Sequence, residues 1–465
     1  MTTQPHSTSP GTDPVAELRA LFEGRVIAPE DAAYDAARAV FYGSRTRRPA
    51  AIVRAKDAAD VSRVVTLARE KGLELAVRSG GHSLAGHSVS EGGIVLDLSQ
   101  MKGLEINVEA RTAWAETGLT AGEYTAAVGA HGLATGFGDT GSVGIGGITL
   151  GGGAGFLVRK HGLTIDSLLA AEIITADGEL LRVDAETHPD LFWAIRGGGG
   201  NFGVATRFKF RLHEVDEIVG GMLILPATPD TITSFVAEAE AAPNELSTIA
   251  NVMVAPPMPF FPAAAHGKLV IMALMAYAGE AEAGERAVAP FRSLAEPIAD
   301  MVKPMRYPEM YGPDEPGPDE EVARSMFIDA VDVDVAGAIV EHLHASTAMM
   351  AVAQLRVLGG AMARVPDEAT AFAHRKRRIM VALGAIYENR EEETVHREWV
   401  EDFAAALYQG ESGVYVGFLG DEGEERVRAA YPGTTWERLT AVKARYDPEN
   451  LFSLNQNISP KTGRS

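Results

Sequence analysis

"AAIVRAKDAADVSRVVTLAREKGLELAVRSGGHS", residues 50–83, changes its hydrophobic period twice. The opening "AAIVRA" (50–55) is a continuous apolar run and reads as a strand. From Asp57 to Gly72 apolar residues recur at helical spacing, with glycine where a helix would close. "LELAVRS" (73–79) returns to strand character, which gives a β-α-β unit. The strand then runs into two glycines, His82 and Ser83, so that a histidine stands with no bulky neighbour to cover it. Such a loop suits a flat or bulky ligand lying against the backbone.

Working outward, "GGIVLDLSQM" continues the pattern, and "LEINVEARTAWAETG" alternates as paired strands would. "LTAGEYTAAVGAHG" reads as a short helix, and "AAEIITADGELLRVD" as a hairpin around an Ala-Asp-Gly turn. "GVATRFKFRLHEV" (203–215) alternates again. Beyond residue 216 the texture changes to apolar strands alternating with helices, while "YPEMYGPDEPGPDEE" (307–321) reads as a proline- and acid-rich surface loop. The polar opening "MTTQPHSTSPGTDP" lacks a secretory pattern and reads as a disordered tail.

The 465 residues suffice for two or three domains. A net charge of −21 argues against nucleic acid and anionic membrane surfaces, since both need clustered cations. No apolar run is long enough to span a bilayer, so a cytoplasmic enzyme is the expectation. The chain has no cysteine, which removes disulfides, thiolate metal sites and a cysteine nucleophile. The sequence carries no signal for oligomeric state.

Much of the glycine lies between residues 80 and 203, and it is densest in "GFGDTGSVGIGGITLGGGAGFLVRKHGLTID" (136–166). A run this dense is not expected inside a stable helix, since each glycine costs about 1 kcal/mol relative to alanine. It suits backbone that approaches a ligand closely, either phosphate or a flat heterocycle. The alternative is a tight loop with no ligand. No G-x-x-x-x-G-K-[ST] occurs. Gly198, Gly200 and Gly203 do match G-x-G-x-x-G, but follow helix-like "PDLFWAIR" and precede a strand, the reverse of a nicotinamide site.

Four ordered motifs point further: "RSGGHS" (78–83), "VGIGGITLGGGAG" (143–155), "HPDLFWAIRGGGGNFGVAT" (188–206) and "YDPENLFSLNQNISP" (446–460). Together they resemble the berberine-bridge-enzyme-like flavoprotein oxidases of the vanillyl-alcohol-oxidase superfamily, which also contains bacterial hydroxynicotine oxidase. The resemblance runs from about residue 47 to 460. It implies an α+β, two-domain fold: a PCMH-type FAD-binding domain at 47–216 and an antiparallel-sheet substrate domain covered by helices at 217–417. Residues 418–465 would pack back on the first domain, and 1–46 would be tail and lead-in.

The resemblance also implies FAD bonded covalently through His82, with Arg78, Ser79, Gly80, Gly81 and Ser83 along its pyrophosphate and ring. A histidine nitrogen is a nucleophile that can be alkylated, and glycines admit close approach, so the residues themselves agree. The alternative for His82 is a turn histidine bonded only to backbone. His87 reads as a loop histidine, since nothing nearby completes a metal site. Thr140 stands where many relatives carry a second, cysteinyl flavin link, so the flavin is expected to be tethered once and to be a weaker oxidant.

Val143 resembles the family's oxygen-access position, where a small side chain accompanies reactivity with dioxygen. Gly141, Ser142, Gly144, Gly146, Gly147 and Gly153 belong to the same implied cofactor set. So do Val204 near the adenine end, and Asn455 and Asn457 from the carboxyl tail. For the asparagines the alternative is turn capping.

Catalytic candidates are Tyr415, Gln354 and Arg356. Tyr415 in "GVYVGF" resembles a family Y-x-N tyrosine, but Gly417 replaces the asparagine. A family glutamine has likewise become Leu383 within "HRKRRIMVALG", so the tyrosine–glutamine base is in doubt. Gln354 and Arg356 share one face of a strand, which is either a pocket wall or the wet face of an edge strand. Tyr387 is a further candidate for an aromatic wall, and "HRKRR" (374–378) reads as a solvated surface segment.

The expected partners are a small-molecule substrate and dioxygen, with no metal. The expected activity is hydride removal from a C–OH or C–N unit of a secondary metabolite, alkaloid or sugar, with O2 reduced to H2O2. The alternatives are a flavin dehydrogenase using another acceptor, and a non-catalytic flavin-binding protein.

Overall fold

The computed structural model describes residues 13–42, 46–257, 261–312, 317–318, 320–410 and 413–460. The strand Ala51–Arg54 feeds the helix Ala58–Lys71, which Asp57 caps through the Asp60 N–H and which Gly72 ends in the left-handed conformation. The strand Leu75–Arg78 follows. The two strands do not pair with one another. Ile94–Asp97 lies between them, parallel to both.

The lead-in completes this small sheet. Val26–Ile27 pairs antiparallel with Ala51–Arg54, and Leu18 and Phe22 are fully buried in its core. Most of the polar tail, residues 1–12, lies outside the described residues. A second, antiparallel sheet of five strands follows, in which Val204–Arg211 is flanked by Thr112–Glu116 and Leu168–Ile174.

The large sheet is antiparallel and runs from residue 217 to 387. Alternation sorts its two faces. Along Met350–Val357, Ala351, Ala353 and Leu355 enter the main apolar core under the helices Pro229–Ala241, Val333–Ala345 and Glu393–Ala406. Val352, Gln354 and Arg356 point the other way. This strand is central, between Leu246–Val254 and Ile379–Tyr387, so the edge-strand alternative is set aside.

Three further expectations are corrected. First, the glycine-rich run contains a helix, Ile145–Gly151. Burial of Ile145 and Thr149 and contact with Ser79 supply what propensity lacks, since tertiary packing overrides weak local preference. Second, the 307–321 segment is not a surface loop. Tyr307 is fully buried, and the Tyr311 hydroxyl donates to the Gly138 carbonyl at 3.2 Å. Residues 313–316 and 319 of that segment lie outside the described residues. Third, "HRKRR" is only partly solvated, because His374 and Arg375 are buried and Arg375 makes two bonds to the Asp166 carboxylate, at 2.8 and 2.9 Å. A desolvated guanidinium needs such a partner.

The carboxyl-terminal helices Glu424–Ala430 and Thr434–Tyr446 return to the second sheet and share its core. No helix among the described residues is long and apolar enough to cross a membrane.

Candidate active site

The loop after Leu75–Arg78 and the glycine loop cross backbone against backbone. A Cβ on Gly80 would lie 2.1 Å from the Gly144 nitrogen, and one on Gly144 would lie 2.1 Å from Ser79 Oγ. Ser79 pins the crossing: its hydroxyl donates to the Thr117 carbonyl at 2.5 Å and accepts from the Gly146 N–H at 3.2 Å. The glycine loop is held from its other side by the Ala121 and Gly122 N–H groups, which donate to the Val143 and Gly141 carbonyls. Gly144→Ala is expected to cost about 1–3 kcal/mol or more through overpacking, with lowered flavin content in melting and absorbance measurements.

This crossing floors a cavity of about 490 Å³. His82 enters it with its ring stacked on Phe41, centroids 4.0 Å apart at 21°, and the edge of Tyr42 6.0 Å away. Burial lowers His82 to about 4, against an opposing backbone hydrogen bond at Ser142, so the imidazole is neutral at physiological pH. His87 also lines the cavity and is lowered to about 4 by burial and by Arg47. Among the described residues no group of three potential metal ligands forms.

The roof comes from the large sheet. Arg356 donates to Gln354 Oε1 at 2.8 Å, to the Ala154 carbonyl at 2.9 Å and to Asp139 Oδ2 at 2.7 Å. Gln354 in turn donates to Asn251 Oδ1 at 2.9 Å. Both polar side chains are therefore locked in place, and the pair with Asp139 ties roof to floor. Tyr415 is 3% exposed and its oxygen accepts from the Gly153 N–H at 2.9 Å. Burial raises its pKa above the ordinary tyrosine value. A Cβ on Gly417 would lie 2.7 Å from the Tyr415 ring, so the asparagine of the Y-x-N pattern would require that ring to shift.

Comparison with known proteins agrees with this geometry. A family model described as an FAD binding domain matches residues 49–184, and one described as berberine and berberine-like matches 414–459. The (R)-6-hydroxynicotine oxidase of Paenarthrobacter nicotinovorans is 30% identical over 452 residues, covering 94% of this chain and 97% of that protein. The chain belongs to the berberine-bridge-enzyme-like FAD-linked oxidoreductases.

An FAD-linked oxidoreductase of Bacillus subtilis is 31% identical over 94% of this chain and 97% of its own. The crystal structure of 6-hydroxy-D-nicotine oxidase from Arthrobacter nicotinovorans superposes with a TM-score of 0.85 at 27% identity, covering 95% of this chain and 98% of that one. The two-sheet floor and helix-covered roof are thus the α+β fold of this family.

The cavity of this FAD-linked oxidoreductase gathers Ser79, Gly80, Gly81, His82, Ser83, Thr140, Val143, Gly144, Gly146, Gly147, Val204 and Asn455. It also gathers the three catalytic candidates, Gln354, Arg356 and Tyr415. Five expected site residues are not brought to it. Arg78 turns away to pair with Asp97 at 2.9 Å, because two buried charges satisfy one another. Gly141 turns its carbonyl to Gly122 of the helix Ala121–Gly129. Ser142 is off the cavity wall and meets the site through its backbone, which bonds His82. Gly153 acts through its N–H on Tyr415. Asn457 donates within its own turn to Ser459 at 3.4 Å. Tyr387 is no cavity wall either: it is buried on the helix-covered face, stacked on His396.

The residues present fit FAD. Gly147 and Gly200 both line the cavity, and a Cβ on either would project into open space. Asn455 holds its amide through the Phe452 carbonyl at 2.8 Å and leaves a buried Oδ1 without a partner. A flavin ring or ribityl hydroxyl would satisfy it.

Sequence reasoning missed two kinds of residue. Asn201 is fully buried, donates to the Gln456 carbonyl and accepts from the Ile458 N–H, clamping the tail to the glycine turn. Its place at the end of "GGGGN" was the available signal. Tyr42 and Glu321 line the cavity from segments read as lead-in and surface loop, with no periodicity to reveal them.

Proposed function

We propose that this chain is an oxidase carrying FAD on a single link through His82. It would take a hydride from a C–OH or C–N unit of a small organic molecule and reduce O2 to H2O2. The observation that carries this reading is one cavity holding His82, a cysteine-free Thr140, Val143 and the locked Gln354–Arg356 face.

The chemistry FAD supplies when bound is acceptance of the hydride and return of the electron pair to dioxygen. The protein's part is positioning. His82, kept neutral by burial, presents a nitrogen lone pair, and Phe41 fixes its ring plane. Tyr415 stays protonated and its oxygen is anchored to the Gly153 N–H, which leaves its own hydrogen to donate to a substrate heteroatom. Arg356 and Asp139 neutralise one another, so neither imposes a net charge on the reacting centre. Val143, small and on the cavity wall, supports access of dioxygen to the site.

The relatives bracket the substrate. One is named a hydroxynicotine oxidase, another, from Berberis wilsoniae, a tetrahydroberberine oxidase, and a solved structure a xylooligosaccharide oxidase. The test is an oxygen electrode with peroxide detection, run on a panel of amines, alcohols and sugars. One H2O2 per O2 consumed is expected with at least one of these classes. Flavin reduction with no oxygen uptake would instead make this a dehydrogenase.

A further inference from the structure

Glu321 occupies the second position of the edge strand Glu320–Ile328, opposite Ile386 in backbone register. Its carboxylate leans over Gly384 on the neighbouring strand: Oε1 is 3.4 Å from the point where a Cβ at 384 would lie. Gly384 thus leaves a slot in the sheet face, and the acid fills it, against Tyr42 and Val352 on the cavity wall.

The charged and titratable groups that share this part of the cavity come from several elements. Arg324, on its own strand, lies 3.9 Å from Glu422. Arg356, one strand further, is bonded to Asp139 of the glycine loop. Tyr42 and Tyr415 bring hydroxyls that burial keeps protonated. Among the described residues Glu321 itself forms no ion pair. Burial is the cause of its shift, and raises it from the ordinary carboxylate range to about 7. An unpaired acid in a largely apolar cavity costs stability, so its presence calls for a use.

We propose that Glu321 is the catalytic residue that takes the substrate's heteroatom proton. The inference rests on the oxidation proposed above and adds the destination of the proton. The substrate's O–H or N–H gives its proton to a Glu321 oxygen. Its C–H hydride, with the electron pair, would go to the bound FAD as a C=O or C=N bond forms. The glutamic acid then releases the proton to solvent. Tyr415 does not fill this role, because burial holds its phenol protonated. A carboxyl poised near the working pH is an effective general base, and removing one typically costs about 10²–10⁴-fold in rate.

The test uses holoenzyme of wild type and Glu321→Gln. Infrared difference spectra recorded between pH 5 and 9 should show a protonated carboxyl that ionises with a midpoint near 7 in wild type. That band should be missing from Glu321→Gln. Identical spectra for the two proteins would overturn the proposal. Anaerobic flavin bleaching is then followed with benzyl alcohol and N-methylbenzylamine as probes. Wild-type bleaching should slow as pH falls through about 7, while Glu321→Gln bleaches at least about 10²-fold more slowly and without that inflection.

Bleaching that survives the substitution with its pH profile intact overturns the inference alone. No bleaching of the wild type by either probe overturns the oxidation reading, and the inference with it. Folding of the variant is checked by melting at pH 8.5. Burial penalises the ionised acid there, so Glu321→Gln should melt no lower than wild type.

Discussion

Acid precipitation of the wild-type holoenzyme is expected to leave a yellow pellet, and that of His82→Ala a colourless one with all flavin in the supernatant. The neutral imidazole presents the nucleophilic nitrogen, and the Phe41 ring 4.0 Å away holds its plane. Thr140 offers no sulfur for a second tether, so one substitution should remove attachment entirely. Retention of FAD before acid treatment is also expected. The glycine crossing and the Asn455 oxygen do not depend on residue 82. Colour in both pellets would point to an attachment elsewhere, and colour in neither to a flavin held without a bond.

Asp447→Ala is expected to be the most destabilising single change outside the glycine crossing. Lys443 and Asp447 are both fully buried, 2.6 Å apart. Asp447 also accepts from the Leu451 and Phe452 N–H groups, and Lys443 donates to the carbonyls of Asn201 and Phe452. Truncating the acid strands a buried ammonium, and breaking such a pair typically costs about 3–5 kcal/mol. Chemical denaturation should show the loss. Because the pair fixes the turn that carries Asn455, flavin content should fall with it. Asp447→Asn, which keeps an acceptor oxygen, should fall between the two.

Much of this architecture is legible in the chain, and the reasons are local. The 50–79 unit declares itself because its helix carries both caps, Asp57 and Gly72. The Gln354–Arg356 face is readable because a period of two survives in an otherwise apolar strand. What is not legible depends on partners distant in sequence. Nothing near Arg78 announces that Asp97 will claim it, and nothing in "PDEPGPDEE" says that Glu321 will lie over a glycine sixty-three positions on. The helix Ile145–Gly151 was hidden for the same reason, since glycine propensity speaks of isolated chains and Ser79 speaks of this one.

The clamp at Asn201 has a consequence for biosynthesis. Its side chain meets the Ile458 N–H across 257 residues, and Lys443 reaches the Asn201 carbonyl across 242. Until residue 458 has left the ribosome, the cavity lacks the wall that carries Asn455 and Gln456. Domains emerge and fold in order during translation, so the strands of the second sheet are made long before the helices that complete their core and the strap that closes the cavity. The wall that Asn455 and Gln456 give the cavity therefore depends on a contact that forms late in synthesis, across 257 residues.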